Sequence, residues 1–181
     1  MSSVTFDQRC SFVTARLAVE SWKDQISTQS GLGTLASEIA SILTPNVAKA
    51  LPKGWQGVET MDDALDWIGK RTEEGHVFTI RLTGTREFVG LLLVNVSPHP
   101  NEEGLQLRIG YFLSESNWGQ GLGSELIEGL ISWSDEAGDV HEVLGLVEAN
   151  NIASAKVLTR NGFKSTGPSG PEKMMTYSRT F

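Results

Sequence analysis

The stretch Ser114-Glu115-Ser116-Asn117-Trp118-Gly119-Gln120-Gly121-Leu122-Gly123-Ser124-Glu125 decides how the chain is read. It follows an unbroken alternation of Leu105, Leu107, Ile109, Tyr111 and Leu113, which predicts a strand over 105–113. It leads into Leu122, Leu126 and Leu130, with Ile127 and Ile131 beside them, one face of a helix that Gly138 stops. The glycines thus sit where a strand gives way to a helix N-terminus. Glycine lets a backbone turn tightly and approach a ligand. The first helical amides are unpaired and carry the positive end of the helix dipole. An anion such as a phosphate or pyrophosphate is the natural guest.

A loop that merely makes room for packing is a second reading of the same glycines. A dinucleotide turn does not fit. The spacing is Gly-x-Gly-x-Gly, five residues separate Leu113 from Gly119, and Asp139 precedes the next strand instead of ending it. A nucleotide P-loop fails as well, because no Gly-Lys-Ser/Thr follows.

Downstream, Val140–Val147 reads as a strand, and strand, crossover helix and strand predict a parallel pair. Asn151 opens a short helix that closes at Asn161-Gly162, and Met175, Tyr177 and Arg179 alternate as a last strand. Upstream, Val77–Leu82 and Glu87–Val96 read as strands around a Gly84-Thr85-Arg86 turn, and Ser97–Asn101 is a loop. These two strands and 105–113 are expected to be antiparallel neighbours. Thr60 is an N-cap for a helix with Leu65 and Ile68 on its apolar stripe, ended by Gly75. Leu35, Ile39, Ile42 and Leu43 recur at helical spacing up to Pro45, and residues 4–19 read as a short strand region. The order implies an α/β (α+β) mixed sheet with helices on both faces.

The 181 residues fit one domain, 1–181, with 39% hydrophobic and 20% charged residues as in a soluble globular chain. The net charge of −7 argues against broad nucleic-acid binding, which requires many phosphates to be neutralised. Cys10 is the one cysteine, so neither an internal disulfide nor a Cys-rich zinc site is expected. His76, His99 and His141 form no metal-spaced pair, and no metal is expected. The longest apolar run, Phe88 to Val94, is far short of the roughly 20 residues of a membrane helix. No secretory signal is visible, so a cytoplasmic location is the default expectation.

Trp118-Gly119-Gln120-Gly121-Leu122-Gly123 resembles the Arg/Gln-x-x-Gly-x-Gly/Ala pyrophosphate loop of the GNAT superfamily of N-acetyltransferases. The string from Gly110-Tyr111-Phe112-Leu113 through Asn117-Trp118 to Ser124-Glu125 resembles its RimJ/RimL-type branch. Asn151-Ile-Ala-Ser154 with Gly162-Phe163 is similar to the family's second motif. Thr14-Ala-Arg16-Leu17, Leu43-Thr-Pro45, Leu51-Pro52 and Phe88-Val89-Gly90 look like its upstream pieces. Both motifs occur in order, and the resemblance spans nearly the whole chain.

The resemblance implies a mostly antiparallel central sheet in which the parallel strands 105–113 and 140–147 splay around acetyl-CoA. Backbone groups of Phe112 and Leu113 would pair with the pantetheine arm and polarise the acetyl carbonyl, since acyl transfer needs an oxyanion donor. Amides of Gln120, Gly121, Leu122, Gly123 and Ser124 would cradle the pyrophosphate. Asn151 is by itself an ordinary N-cap; the family adds a hydrogen bond to CoA, and the two roles are compatible. Ser154 is either a plain helix residue or a hydroxyl near the CoA sulfur that assists the departing thiolate. Lys156 and Arg160 share a helical face, either solvated or meeting the 3′-phosphate.

One departure stands out. Many branch members carry Glu where this chain has Arg108, and arginine stays protonated and cannot be a general base. Glu148 and Glu115 are substitute carboxylates, and Arg108 becomes a candidate acceptor-binding residue. The expected activity is acetyl transfer from acetyl-CoA to a primary amine, of a protein N-terminus or a small molecule, directly and without an acyl-cysteine. Related domains are often dimers, so a homodimer is a further expectation. The rivals are a non-catalytic acyl-CoA sensor and a nucleotide-binding protein.

Overall fold

A computed structural model describes residues 5–169 and 174–181. The helices Gln29–Ile42, Pro45–Ala48, Met61–Glu74 and Ile152–Arg160 begin where a side chain satisfies one of the first amides. In α5 (Met61–Glu74) Thr60 and Asp63 form a reciprocal cap. The Thr60 hydroxyl accepts from the Asp63 amide at 3.1 Å, and Asp63 Oδ2 accepts from the Thr60 amide at 2.8 Å. The same device accounts for a difference from the sequence reading. Within 4–19, Thr5 and Gln8 close a cap around a helical turn, α1 (Phe6–Arg9), before β1 (Phe12–Val13) and β2 (Leu17–Ser21). The short α2 (Lys23–Ile26) precedes α3 (Gln29–Ile42), which Thr28 caps, and α4 (Pro45–Ala48), which Thr44 caps with Pro45 at its first position.

The remaining strands are β3 (His76–Leu82), β4 (Phe88–Pro98), β5 (Leu105–Leu113), β6 (Val140–Val147), β7 (Lys164–Ser169) and β8 (Met174–Thr180). With α6 (Leu122–Ala137) and α7 (Ile152–Arg160) they complete a mixed, mostly antiparallel sheet flanked by helices. Strand order among the described residues is β1-β2-β3-β4-β5-β6-β8-β7. The pair β5–β6 is parallel, in register from Leu105↔Val140 to Ile109↔Gly145. β8 pairs antiparallel with both β6 and β7. The sequence reading does not anticipate β7. Its residues, Lys-Ser-Thr-Gly-Pro-Ser, are mostly exposed and lack an apolar alternation, so the strand rests on pairing with β8.

The chain forms two compact units, Met1–Leu93 with Tyr111–Gln120, and Val94–Gly110 with Gly121–Phe181. The first has a core of Trp22, Leu35, Ile39, Trp67, Ile68 and Phe112, with smaller apolar side chains between them. In the second, Leu126, Ile127 and Leu130 of α6 are fully buried, each contributing about 1.5–3 kcal/mol. There α7 lies close over β6: a Cβ at Gly145 would sit 2.8 Å from the Leu158 side chain.

Candidate functional site

In the first unit the site begins where β5 ends. The Trp118 indole N–H donates to the Leu113 carbonyl at 2.8 Å, and the Ser114 amide donates to Val89 O at 2.7 Å. Phe112 O lies against Gly90 of β4, where an added Cβ would be 2.2 Å away. The Phe112 ring meets Trp67 of α5 edge-on at 6.3 Å. Beyond a 3₁₀ turn over Glu115–Asn117, the buried Asn117 donates to Ser114 Oγ at 2.8 Å. Gln120 is held twice: its Nε2 donates to Ser116 O at 3.0 Å, and its carbonyl accepts from Arg16 Nη1 at 2.9 Å. This fixes the loop from Leu113 to Gln120. Glu115 is bound elsewhere, its carboxylate accepting from Thr44 Oγ1 and Asn46 Nδ2 at the start of α4.

The loop backbone turns through left-handed conformations at Gly119 (φ +72°) and Gly121 (φ +79°), which favour glycine. Gly121 is the N-cap of the 16-residue α6 and offers no capping side chain. The first helical bond shown runs from the Glu125 amide to Gly121 O, so the amides of Leu122, Gly123 and Ser124 precede the ladder. These amides and the helix dipole suit an anion.

Within the second unit, Asn161 Nδ2 donates to Ser124 Oγ at 3.0 Å and to Val157 O at 2.9 Å, joining the end of α7 to the first turn of α6. Arg179 Nη1 donates to Asn161 O at 2.7 Å. Asn151 caps α7, its Oδ1 accepting from the Ser154 amide at 3.1 Å, which leaves its side-chain NH₂ as a donor. The Asn151 amide donates to Glu148 O at 2.9 Å, so Glu148, Asn151 and Ser154 are neighbours at the start of α7. Glu148 and Ser154 are half-buried. Arg108 is exposed on β5 opposite Leu144, and Lys156 and Arg160 are exposed on α7.

Cys10 is fully buried, and burial pushes its thiol pKa up to about 12. It is a protonated core residue at neutral pH and a poor acyl acceptor. Among the described residues no group of His, Cys, Asp and Glu side chains could hold a metal ion, and no helix is long and apolar enough to cross a membrane.

Sequence reasoning left Trp118, Asn161 and Gly90 without a role at the site. A glycine within the apolar run Phe88–Val94 is a recognisable sign of close backbone approach, but Asn161 carries no such local sign. The family described as Acetyltransferase (GNAT) domain matches residues 30–164. An uncharacterized N-acetyltransferase p20 of Bacillus licheniformis is 28% identical over 107 residues, 58% of each chain, so the match spans under two thirds of that relative. The fold is similar to the ribosomal-protein-S5-alanine acetyltransferase of Vibrio fischeri, with TM-score 0.69 and 20% identity over 94% of this chain and 96% of that one. It is also similar to Mycobacterium smegmatis RimJ in complex with CoA-disulfide, with TM-score 0.70 and 16% identity over 91% of this chain and 81% of that one.

Proposed function

The chain belongs to the GNAT acetyltransferase family, and on that premise we propose that it moves an acetyl group from acetyl-CoA to a primary amine, acting as one catalytic domain over residues 1–181. The observation that carries the reading is the Gly119–Gly121 loop, left-handed at both glycines and opening an uncapped 16-residue helix. These residues fit the pyrophosphate of CoA: open amides, no acidic side chain as cap, and a helix dipole of the right sign. Gln120 to Ser124 hold that pyrophosphate, and Asn151 donates its side-chain NH₂ to CoA.

Acetyl-CoA supplies an activated thioester. The neutral amine attacks its carbonyl carbon, a C–N bond forms and the C–S bond breaks. A backbone group at Phe112 holds the pantetheine arm, and the Leu113 amide stabilises charge on the carbonyl oxygen of the acetyl group. The Ser154 hydroxyl donates a hydrogen bond to the departing thiolate, or protonates it and is itself reprotonated from water. The extra proton on nitrogen leaves to Glu148, directly or through water. Arg108 is a permanent cation toward the acceptor and favours amines with a carboxylate nearby. The ribosomal-protein-S5-alanine acetyltransferase of similar fold supports a RimJ/RimL-like peptide acceptor.

The test is thiol release from acetyl-CoA with a panel of N-terminal peptides and small amines. Turnover with at least one acceptor is expected. Tight CoA binding without turnover on any amine would make the chain a sensor.

A further inference from the structure

Trp118 is a large aromatic side chain left 47% exposed, so burial does not explain its placement. Its indole N–H has one purpose in view, the 2.8 Å bond to Leu113 O. The Ser114 amide, on the same peptide unit, donates to Val89 O. Both polar groups of the Leu113–Ser114 peptide are therefore committed within the protein, and its plane is fixed.

The preceding peptide unit is set from the other side. Phe112 O occupies the space where a side chain at position 90 would stand: a Cβ on Gly90 would be 2.2 Å from that oxygen and 2.9 Å from Leu113 Cδ2. The described chain has no cis peptide bond. In a trans peptide the N–H points opposite to the C=O. With Phe112 O turned onto Gly90, the Leu113 N–H is aimed away from it. Of the two peptides on either side of Leu113, this N–H is the donor directed off β4.

We propose that Trp118 and Gly90 are positioning residues that aim the Leu113 amide at the acyl carbonyl, an inference that rests on the acetyl transfer proposed above. Neither residue touches the reacting atoms. Trp118 fixes the peptide after Leu113, and Gly90 admits the carbonyl of the peptide before it. The alignment matters only for a ligand with an acyl carbonyl. Free CoA lacks that group and does not sense it.

The experiment compares Trp118→Phe and Gly90→Ala with the unaltered chain. Single-turnover transfer to the best amine of the panel is measured alongside calorimetric affinities for CoA and acetyl-CoA. Trp118→Phe keeps an exposed ring and removes the N–H. It should lower the transfer rate about tenfold, because small displacements of a positioned group cost rate steeply. Its CoA affinity should stay within about twofold of the unaltered chain, since the bond lost does not touch CoA. Gly90→Ala forces backbone apart and should cost about a hundredfold in a folded variant; Trp118→Phe decides the question if Gly90→Ala does not fold. A Trp118→Phe rate equal to that of the unaltered chain overturns the inference. So does an equal loss of CoA and acetyl-CoA affinity, the mark of a purely structural role. An unaltered chain that binds CoA yet acetylates no amine refutes the transfer reading itself, and the inference falls with it.

Discussion

Replacing Arg71 by alanine should cost about 3 kcal/mol of stability, more than any single surface interaction supplies. Arg71 lies on α5 and is 3% exposed. Its guanidinium carbon sits 5.0 Å from the Trp55 ring centre and 5.2 Å from that of Trp67. Nη1 donates to Gly54 O at 3.2 Å and Nη2 to Glu74 at 2.6 Å. The charged bond to Gly54 contributes about 1.5–3 kcal/mol, each ring contact about 0.5–1 kcal/mol, and the half-exposed Glu74 pair under about 1 kcal/mol. Against these stands the cost of burying the cation. Burial pulls the guanidinium pKa below its ordinary value, partly offset by Glu74. Alanine also leaves a gap where the side-chain stem packed. Arg71→Met fills that gap and removes the charge, so it should cost about 1 kcal/mol. Urea unfolding at neutral pH measures both variants. At about 2–4 °C per kcal/mol for a chain of this size, Tm of the alanine variant should fall by about 6–12 °C. An alanine variant within about 0.5 kcal/mol of the unaltered protein would refute the reasoning. A methionine variant as unstable as the alanine variant would place the stabilisation in the charge and not in the stem.

Gly121→Asp and Gly121→Asn impose the same left-handed backbone cost at φ +79°, of about 1 kcal/mol, but only Asp adds charge; Asp should weaken CoA binding at least about tenfold more than Asn, and equal calorimetric affinities would put the anion elsewhere. Ser154→Ala should lower kcat about tenfold with little change in CoA affinity, because the thiolate develops only in the transition state; an unchanged kcat where chemistry limits the rate leaves Ser154 a helix residue. Burial raises the pKa of Asp7, but hydrogen bonds and charge from Lys23 and His76 outweigh it and hold the carboxyl below its ordinary value. Its stabilisation is therefore full above the unfolded aspartate value of about 3.9 and fades as pH falls through the lower folded value; stability measured from neutral to acid pH should drop less steeply in Asp7→Asn, and identical profiles would contradict this.

What could be read from sequence was what is encoded locally. The strands 105–113 and 140–147 and the helix between Thr60 and Gly75 lie where alternation and capping put them. The glycine loop and the Asn151 cap were likewise readable, because the residues that need the conformation are the residues that show it. The α1 turn is not legible because Thr5 and Gln8 cap only four residues. β7 is not legible because an exposed polar strand has no periodic apolar signal. The contacts that orient the candidate site join distant positions: Asn161 to Ser124, Arg16 to Gln120, and Gly90 to Phe112. No local pattern in the sequence specifies such pairs.

Acetyl-CoA labelled in its acetyl group, incubated with the protein and an amine panel and followed by mass spectrometry, tests the central claim most directly. The account predicts labelled acetyl on the nitrogen of at least one acceptor, one free CoA released for each acetyl transferred, and loss of both signals in Gly121→Asp. Saturable binding of CoA with no label on any amine would contradict it.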